Sequence, residues 1–332
     1  MEAKLLKQGD LPRLLDVLTR DYVVIAPKDE LSYGEIHSAS EFYAGDDKPR
    51  KSLKEFFFPP REVLLEYTVS KGTATMTPAT APTGQRVAFC RPCDAAALPI
   101  LDKVFTWDYL DGSYLQRRQN TIVITMACDE PCEACFCVSL GGSPAGTDGA
   151  DLQFSPLGDV YHVMIITERG AKLVERYESL FFASDTAHDR ERAQREEAWQ
   201  HNVGKHVDIE GLAEQLDFEN PVWQTVTEQC IDCGICTFLC PTCHCFDIQD
   251  EGRPEAGERV RLWDSCAFRL FTKTAVHEPR PSHASRYRQR IMHKFSYYPC
   301  NFGRTLCVGC GRCIQYCPVG IDITAVLETV KE

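Results

Sequence analysis

The stretch CIDCGICTFLCP, beginning at Cys230, recurs as CVGCGRCIQYCP from Cys307. Each copy reads C-x2-C-x2-C-x3-C-P, the run that wraps a 4Fe–4S cubane. Three closely spaced thiolates grip three irons of one cube from a single tight loop. The fourth cysteine is carried off by the next turn and reaches the other cube, so the two copies need each other. On that logic Cys230, Cys233, Cys236 and Cys317 hold one cluster, and Cys307, Cys310, Cys313 and Cys240 hold a second. Pro241 and Pro318 stop the chain from running straight past each fourth ligand. Gly234, Gly309 and Gly311 let backbone approach sulfide. The competing reading is a pair of zinc knuckles, but zinc takes four ligands, usually as two separated pairs, and has no use for this spacing twice.

A chain of 332 residues is long enough for about two domains. It carries 18 cysteines, whereas disulfide scaffolds are usually short secreted domains. MEAKLLKQGDLPRLL has no apolar run followed by small residues, and no stretch approaches the roughly 20 apolar residues of a membrane span. The cysteines therefore read as reduced ligands in a cytoplasm protected from oxygen, with no membrane association. A formal charge of −12 argues against nucleic-acid binding, which needs a basic face. Residues 259 to 294 break that trend, with nine Lys or Arg against Asp264 and Glu278. Counter-charge to anionic clusters, or a solvated helical face, is the preferred reading; a docking patch for an acidic partner is the alternative.

Along the chain, DLPRLLDVLTR reads as a capped amphipathic helix and YVVIAPK as a strand, with LSYGEIHSAS as a second strand. FFFPP at Phe56 suggests packing under a turn before it suggests a pocket. QRVAFC and TIVITMAC are buried strands, each followed by a crossover segment, which implies parallel pairing. The segment DLQFSPLGDVYHVMIITERG reads as a hairpin around Leu157, Gly158 and Asp159. AKLVERYESLFF, the run from Asp185 to about Val207, and a segment from Ile209 read as helices. The loop GGSPAGTDG lacks the spacing of a nucleotide-binding turn. In the 66 residues between the motifs (241–306), RVRLWDSCAFRLFTKTAV and RYRQRIMHKFSYY both have helical length and pattern. The expected fold is thus an N-terminal α/β domain with a mixed sheet, residues 1–220, followed by a mainly helical dicluster ferredoxin domain, residues 221–332.

Both buried strands deliver cysteines at their carboxyl ends, where ligands collect in such sheets. Cys93, Cys128, Cys135 and Cys137 are the candidate ligands of a third 4Fe–4S cluster. A zinc site and buried thiols packing as small apolar groups are the alternatives. Cys90 and Cys132 are left over, and Cys300 has no assigned role. Cys243, Cys245 and Cys266, from CPTCHC and WDSC, read first as thiols packed near the clusters. A cluster with an open iron, or a redox-active dithiol, is the second reading. His244 has no partner visible in the sequence.

RPCDAAALPILDKVF, CDEPCEACFCVSLGGSPAG and the tandem motifs with CPTCHC and WDSC between them resemble the β subunits of cytosolic sulfhydrogenase-type NiFe hydrogenases. They also resemble the A subunit of anaerobic sulfite reductase. The resemblance spans nearly the whole chain, and its R-x-C-D and C-x6-C-F-C pattern falls on Cys93, Cys128, Cys135 and Cys137. It implies an iron–sulfur electron carrier beside a flavin and 2Fe–2S subunit that handles NAD(P)H. The terminal partner would be a hydrogenase, a sulfite reductase or a heterodisulfide-reductase module, with the hydrogenase type preferred. No flavin, nicotinamide, siroheme or nickel signature is present, so the chain is expected not to catalyse alone. A thiol-based disulfide reductase using Cys243, Cys245 or Cys266 is the rival from another class. An iron–sulfur sensor would need a nucleic-acid-binding module that the sequence lacks.

Overall fold

A computed structural model describes residues 2–45, 47–80 and 82–331. Strands β1 (Ala3–Lys7), β2 (Val23–Pro27) and β3 (Tyr33–Ile36) come first, then a hairpin of β4 (Arg61–Ser70) and β5 (Thr73–Pro78). Next follow β6 (Arg86–Cys90), β7 (Thr121–Met126), β8 (Leu152–Leu157), β9 (Val160–Ile165) and β10 (Phe181–Ala183), and finally β11 (Phe246–Arg253) and β12 (Ala256–Trp263). The large sheet has the order β10-β1-β9-β8-β7-β6-β2-β3. Its middle, β2-β6-β7-β8, is parallel, and the flanking pairs are antiparallel, so the sheet is mixed as the sequence suggests.

Alternation along the parallel strands builds two cores. Val24, Val87, Phe89, Ile122 and Ile124 face the amphipathic helix Leu11–Asp21, which buries Leu11, Leu14, Leu15 and Leu18. Ile25, Ala88, Cys90 and Val123 point the other way, toward Leu98, Leu101 and Phe105 of the helix Leu98–Phe105. Phe57 and Phe58 complete this second core, each contributing roughly 1.5–3 kcal/mol by burial. The FFFPP step is therefore packing: Phe58 lies against Phe105 and Trp263, and its carbonyl accepts the Trp263 indole N–H at 3.0 Å.

Three expected helices differ. In RVRLWDSC the apolar Val260 and Leu262 alternate with Arg259 and Arg261, and period two wins: the segment is β12, paired with β11 and β4. SLFF ends in the edge strand β10 rather than continuing the helix Glu168–Arg176. The helix expected from Ile209 is a single turn, Leu212–Gln215, entered through Gly211 at φ +65. RYRQRIMHKFSYY does form a helix, His283–Met292, continuing through a π turn at 293–297 into Tyr298–Phe302.

The second sheet, β11-β12-β4-β5, joins strands from before and after residue 220. At that seam Glu62 of β4 lies buried between Arg117 and Arg261. A second tie is fully buried: Arg312 of the CGRC turn forks onto Asp94 of RPCD, at 3.0 and 2.8 Å, and donates to the Pro49 carbonyl. No helix among the described residues is long and apolar enough to cross a membrane.

Candidate cluster-binding site

Both tandem motifs turn on the same backbone device. Asp232 and Gly309, each two residues into its motif, have φ of +52 and +63, and Gly234 and Gly311, each four residues in, have φ of +74. Left-handed residues alternating with ordinary ones aim successive N–H groups into one concavity, which suits an anionic group. Gly234 and Gly311 then each open a short helix, Ile235–Phe238 and Arg312–Gln315, which carries the third cysteine, Cys236 or Cys313. The tandem sequence repeat is thus a structural repeat.

Cys230, Cys233, Cys236 and Cys317 line one cleft, together with Cys313, Arg286, Tyr287 and Arg290. Cys233 is exposed, so this cleft reaches the surface. In the second motif burial pushes the Cys313 thiol up to about 12, opposed by Arg290 and reinforced by Cys307, Cys310 and Cys240. Burial likewise pushes Cys307 and Cys230 up to about 11. Such thiols stay protonated until something positive takes the proton's place, as a metal centre does. Among the described residues no three His, Cys, Asp or Glu side chains converge on a single metal ion. A cubane asks for a wider spacing, because each thiolate binds a different corner.

Buried cations stand beside these sulfurs. Arg290, Lys294 and Lys54 are 3%, 2% and 4% exposed, and none has a carboxylate within ion-pairing distance among the described residues. Arg290 donates to the Cys236 carbonyl at 3.0 Å, and the Cys236 and Cys313 sulfurs outweigh burial in holding its charge. Lys294 Nζ lies 3.3 Å from Cys240 Sγ and 2.8 Å from the Leu306 carbonyl. Lys54 donates to the Cys243 carbonyl at 2.9 Å, and burial brings its pKa down to about 8. An unpaired buried charge costs several kcal/mol. An anionic group held by thiolates at this place removes that cost, so the residues present fit iron–sulfur clusters. Four of the nine basic residues between 259 and 294 pair with carboxylates instead: Arg259, Arg261, Arg269 and Arg286.

The N-terminal cysteines also come together. Cys93, Cys128, Cys135 and Cys137 line one cavity of about 410 Å3, and so do Cys307 and Cys310 of the second motif. Cys132, which sequence reasoning set aside, lines it too, and a disulfide joins it to Cys135. Lys48 Nζ donates to Cys132 Sγ at 2.8 Å. Three of the four expected ligands thus keep free sulfurs, and Cys135 does not. The CEACFC loop sits against the second motif at backbone contact: Phe136 N–H donates to the Gly309 carbonyl at 2.8 Å. A Cβ on Gly309 would stand 2.6 Å from the Cys137 nitrogen, and one on Gly311 2.4 Å from the Ala134 carbonyl oxygen.

The remaining cysteines separate by place. Cys90 is buried in the second core, and Cys300 is exposed. The Cys243 sulfur stands beside that of Cys240, and the Cys266 sulfur beside that of Cys245. His244 Nδ1 lies 3.0 Å from the Thr242 carbonyl, and its ring is 5.3 Å from that of His293. The cations Lys54, Arg290 and Lys294 were not legible as site residues. Arg290 and Lys294 belong to a basic run that cannot say which members are buried, and Lys54 lies outside it.

A family model described as "4Fe-4S dicluster domain" matches residues 229–321. The "Sulfhydrogenase 2 subunit beta" of Pyrococcus furiosus is 32% identical over 305 residues, which is 90% of this chain and 89% of that protein.

Proposed function

This chain belongs to the family of the sulfhydrogenase beta subunit, and on that premise we propose that it relays electrons inside a cytoplasmic multi-subunit oxidoreductase. It is an iron–sulfur electron-transfer subunit. The proposed donor is a flavin and 2Fe–2S subunit handling NAD(P)H, and the proposed acceptor is a terminal catalytic subunit of hydrogenase type. Two cubanes would be held by Cys230, Cys233, Cys236 and Cys317, and by Cys307, Cys310, Cys313 and Cys240. A third would be held by Cys93, Cys128, Cys135 and Cys137, once the bond from Cys135 to Cys132 is reduced. A bound cubane supplies one-electron chemistry.

The observation that carries this reading is the unbroken adjacency of the three thiol groups. Cys307 and Cys310 line the N-terminal cavity, and Cys313 of the same loop lines the cleft of the first motif. That cleft ends at the exposed Cys233. Gly309 and Gly311 allow the close approach on one side, and Arg290, between Cys236 and Cys313, bridges the other with a fixed positive charge. A path of this kind serves transfer through the subunit, from one protein to another.

Anoxic native purification, mass spectrometry of co-eluting chains, and assays for hydrogen, sulfite and disulfide turnover test the assignment. A flavin subunit together with hydrogen turnover supports it. Sulfite or heterodisulfide turnover would replace the terminal partner, and solitary elution with NAD(P)H-dependent turnover by the chain itself would overturn the relay.

A further inference from the structure

Three cysteines that the relay does not use surround the turn between the first motif and the second sheet. The hairpin β11–β12 begins one residue after Cys245 and ends three residues before Cys266, with Phe246 paired to Trp263. The chain is closed behind it by Asp264 N–H donating to the Cys245 carbonyl at 3.0 Å. The hairpin therefore returns Cys266 to Cys245. The Cys266 thiol and backbone N–H stand close enough to the Cys245 sulfur to favour its thiolate. Ser265, beside Cys266, is buried and bridges to Thr237 at 2.7 Å, anchoring the pair to the helix of the first motif. Lys54 stands over the Trp263 ring at 3.9 Å and holds the Cys243 carbonyl. Cys243 in turn contacts Cys240.

We propose that Cys245 and Cys266 form a dithiol–disulfide couple that exchanges electrons with the second cubane by way of Cys243 and Cys240. The inference rests on the cluster reading above, since the couple needs a one-electron partner. In the oxidising direction the Cys245 thiolate and the Cys266 thiol form one S–S bond, losing one proton to solvent and two electrons. The electrons leave singly to the oxidised cubane, and reduction reverses each step. The contact between the two sulfurs favours one thiolate within the pair against burial, and one thiolate is what disulfide formation needs. A chain of one-electron centres would thereby gain a two-electron store beside its middle.

The test uses the anoxically purified full-length holoprotein, poised oxidised or reduced, alkylated with iodoacetamide and mapped by mass spectrometry, with iron measured on the same samples. Alkylation of Cys245 and Cys266 should be about tenfold lower in the oxidised sample, with a peptide linking the two. In C266S, Cys245 should alkylate equally in both states while the iron content stays at the wild-type value. Equal alkylation of the pair in both states overturns the couple. So does loss of about four iron per chain in C266S or C245S, which would make these sulfurs cluster ligands. Wild-type protein without iron would overturn the cluster reading instead, and the iron measurement reports that separately.

Discussion

Arg312 lies inside a cluster motif yet holds no iron; its task is to fasten the second motif to RPCD through Asp94, with both side chains fully buried. Replacing Arg312 with Met leaves the Asp94 carboxylate buried with, among the described residues, the Tyr33 hydroxyl at 2.8 Å and the Leu53 N–H at 3.3 Å for support. A loss of about 3–5 kcal/mol follows, read from denaturant midpoints under anoxic conditions. The double variant R312M/D94L should recover most of it, and a double variant as unstable as R312M would contradict the pairing account. The tandem cysteines were legible residue by residue, because cubane ligation dictates their spacing. Arg312, Arg290 and Lys294 were not, because a basic residue in a sequence does not declare whether water or a buried anion faces it.

The loops of the two motifs are the elements on which site geometry depends. Gly309 combines φ +63 with a Cβ position 2.6 Å from the backbone of Phe136 and Cys137. Gly309→Val should separate the second motif from the CEACFC loop and lower iron in the N-terminal group and the second cluster together. Iron content with electron paramagnetic resonance checks this; loss confined to one cluster would contradict the shared contact. The strands were legible where burial is two-sided, as in QRVAFC and TIVITMAC, and the helix DLPRLLDVLTR was legible by its leucines. RVRLWDSC was missed because a strand carrying buried, paired arginines looks amphipathic at helical spacing too. Burial also sets a pH dependence for the CPTCHC turn and the helix beneath it. It lowers His244 to about 4, and His293 to about 3 with His244 adding to the effect, from an ordinary 6.5. The unfolded chain binds these protons first as pH falls, so stability is intact above pH 6.5 and declines from there toward pH 4. The slope is at most about 1.4 kcal/mol per pH unit for each group, trimmed because both rings are half-buried. Stability titrations of wild type and H244Q should differ in that window, and identical curves would contradict neutral burial.

At the scale of the whole molecule, the hairpin β4–β5 and the insert hairpin β11–β12 form one sheet across residue 220, and the Asp94–Arg312 pair crosses it again. The mixed sheet and the C-terminal dicluster region were legible, since strand period and cysteine spacing are local signals. The shared second sheet was not, because pairing between residues 61–68 and 256–262 leaves no mark in either segment alone. The same joining lets three thiol groups stand in series, and the cations around them ask for anionic occupants. Quantifying iron, acid-labile sulfide and zinc in anoxically purified protein tests that claim most directly. Three filled cubanes give about twelve iron and twelve sulfide per chain, four of each per cubane, with zinc absent. Eight of each would remove the N-terminal cluster, and stoichiometric zinc without labile sulfide would contradict the account itself.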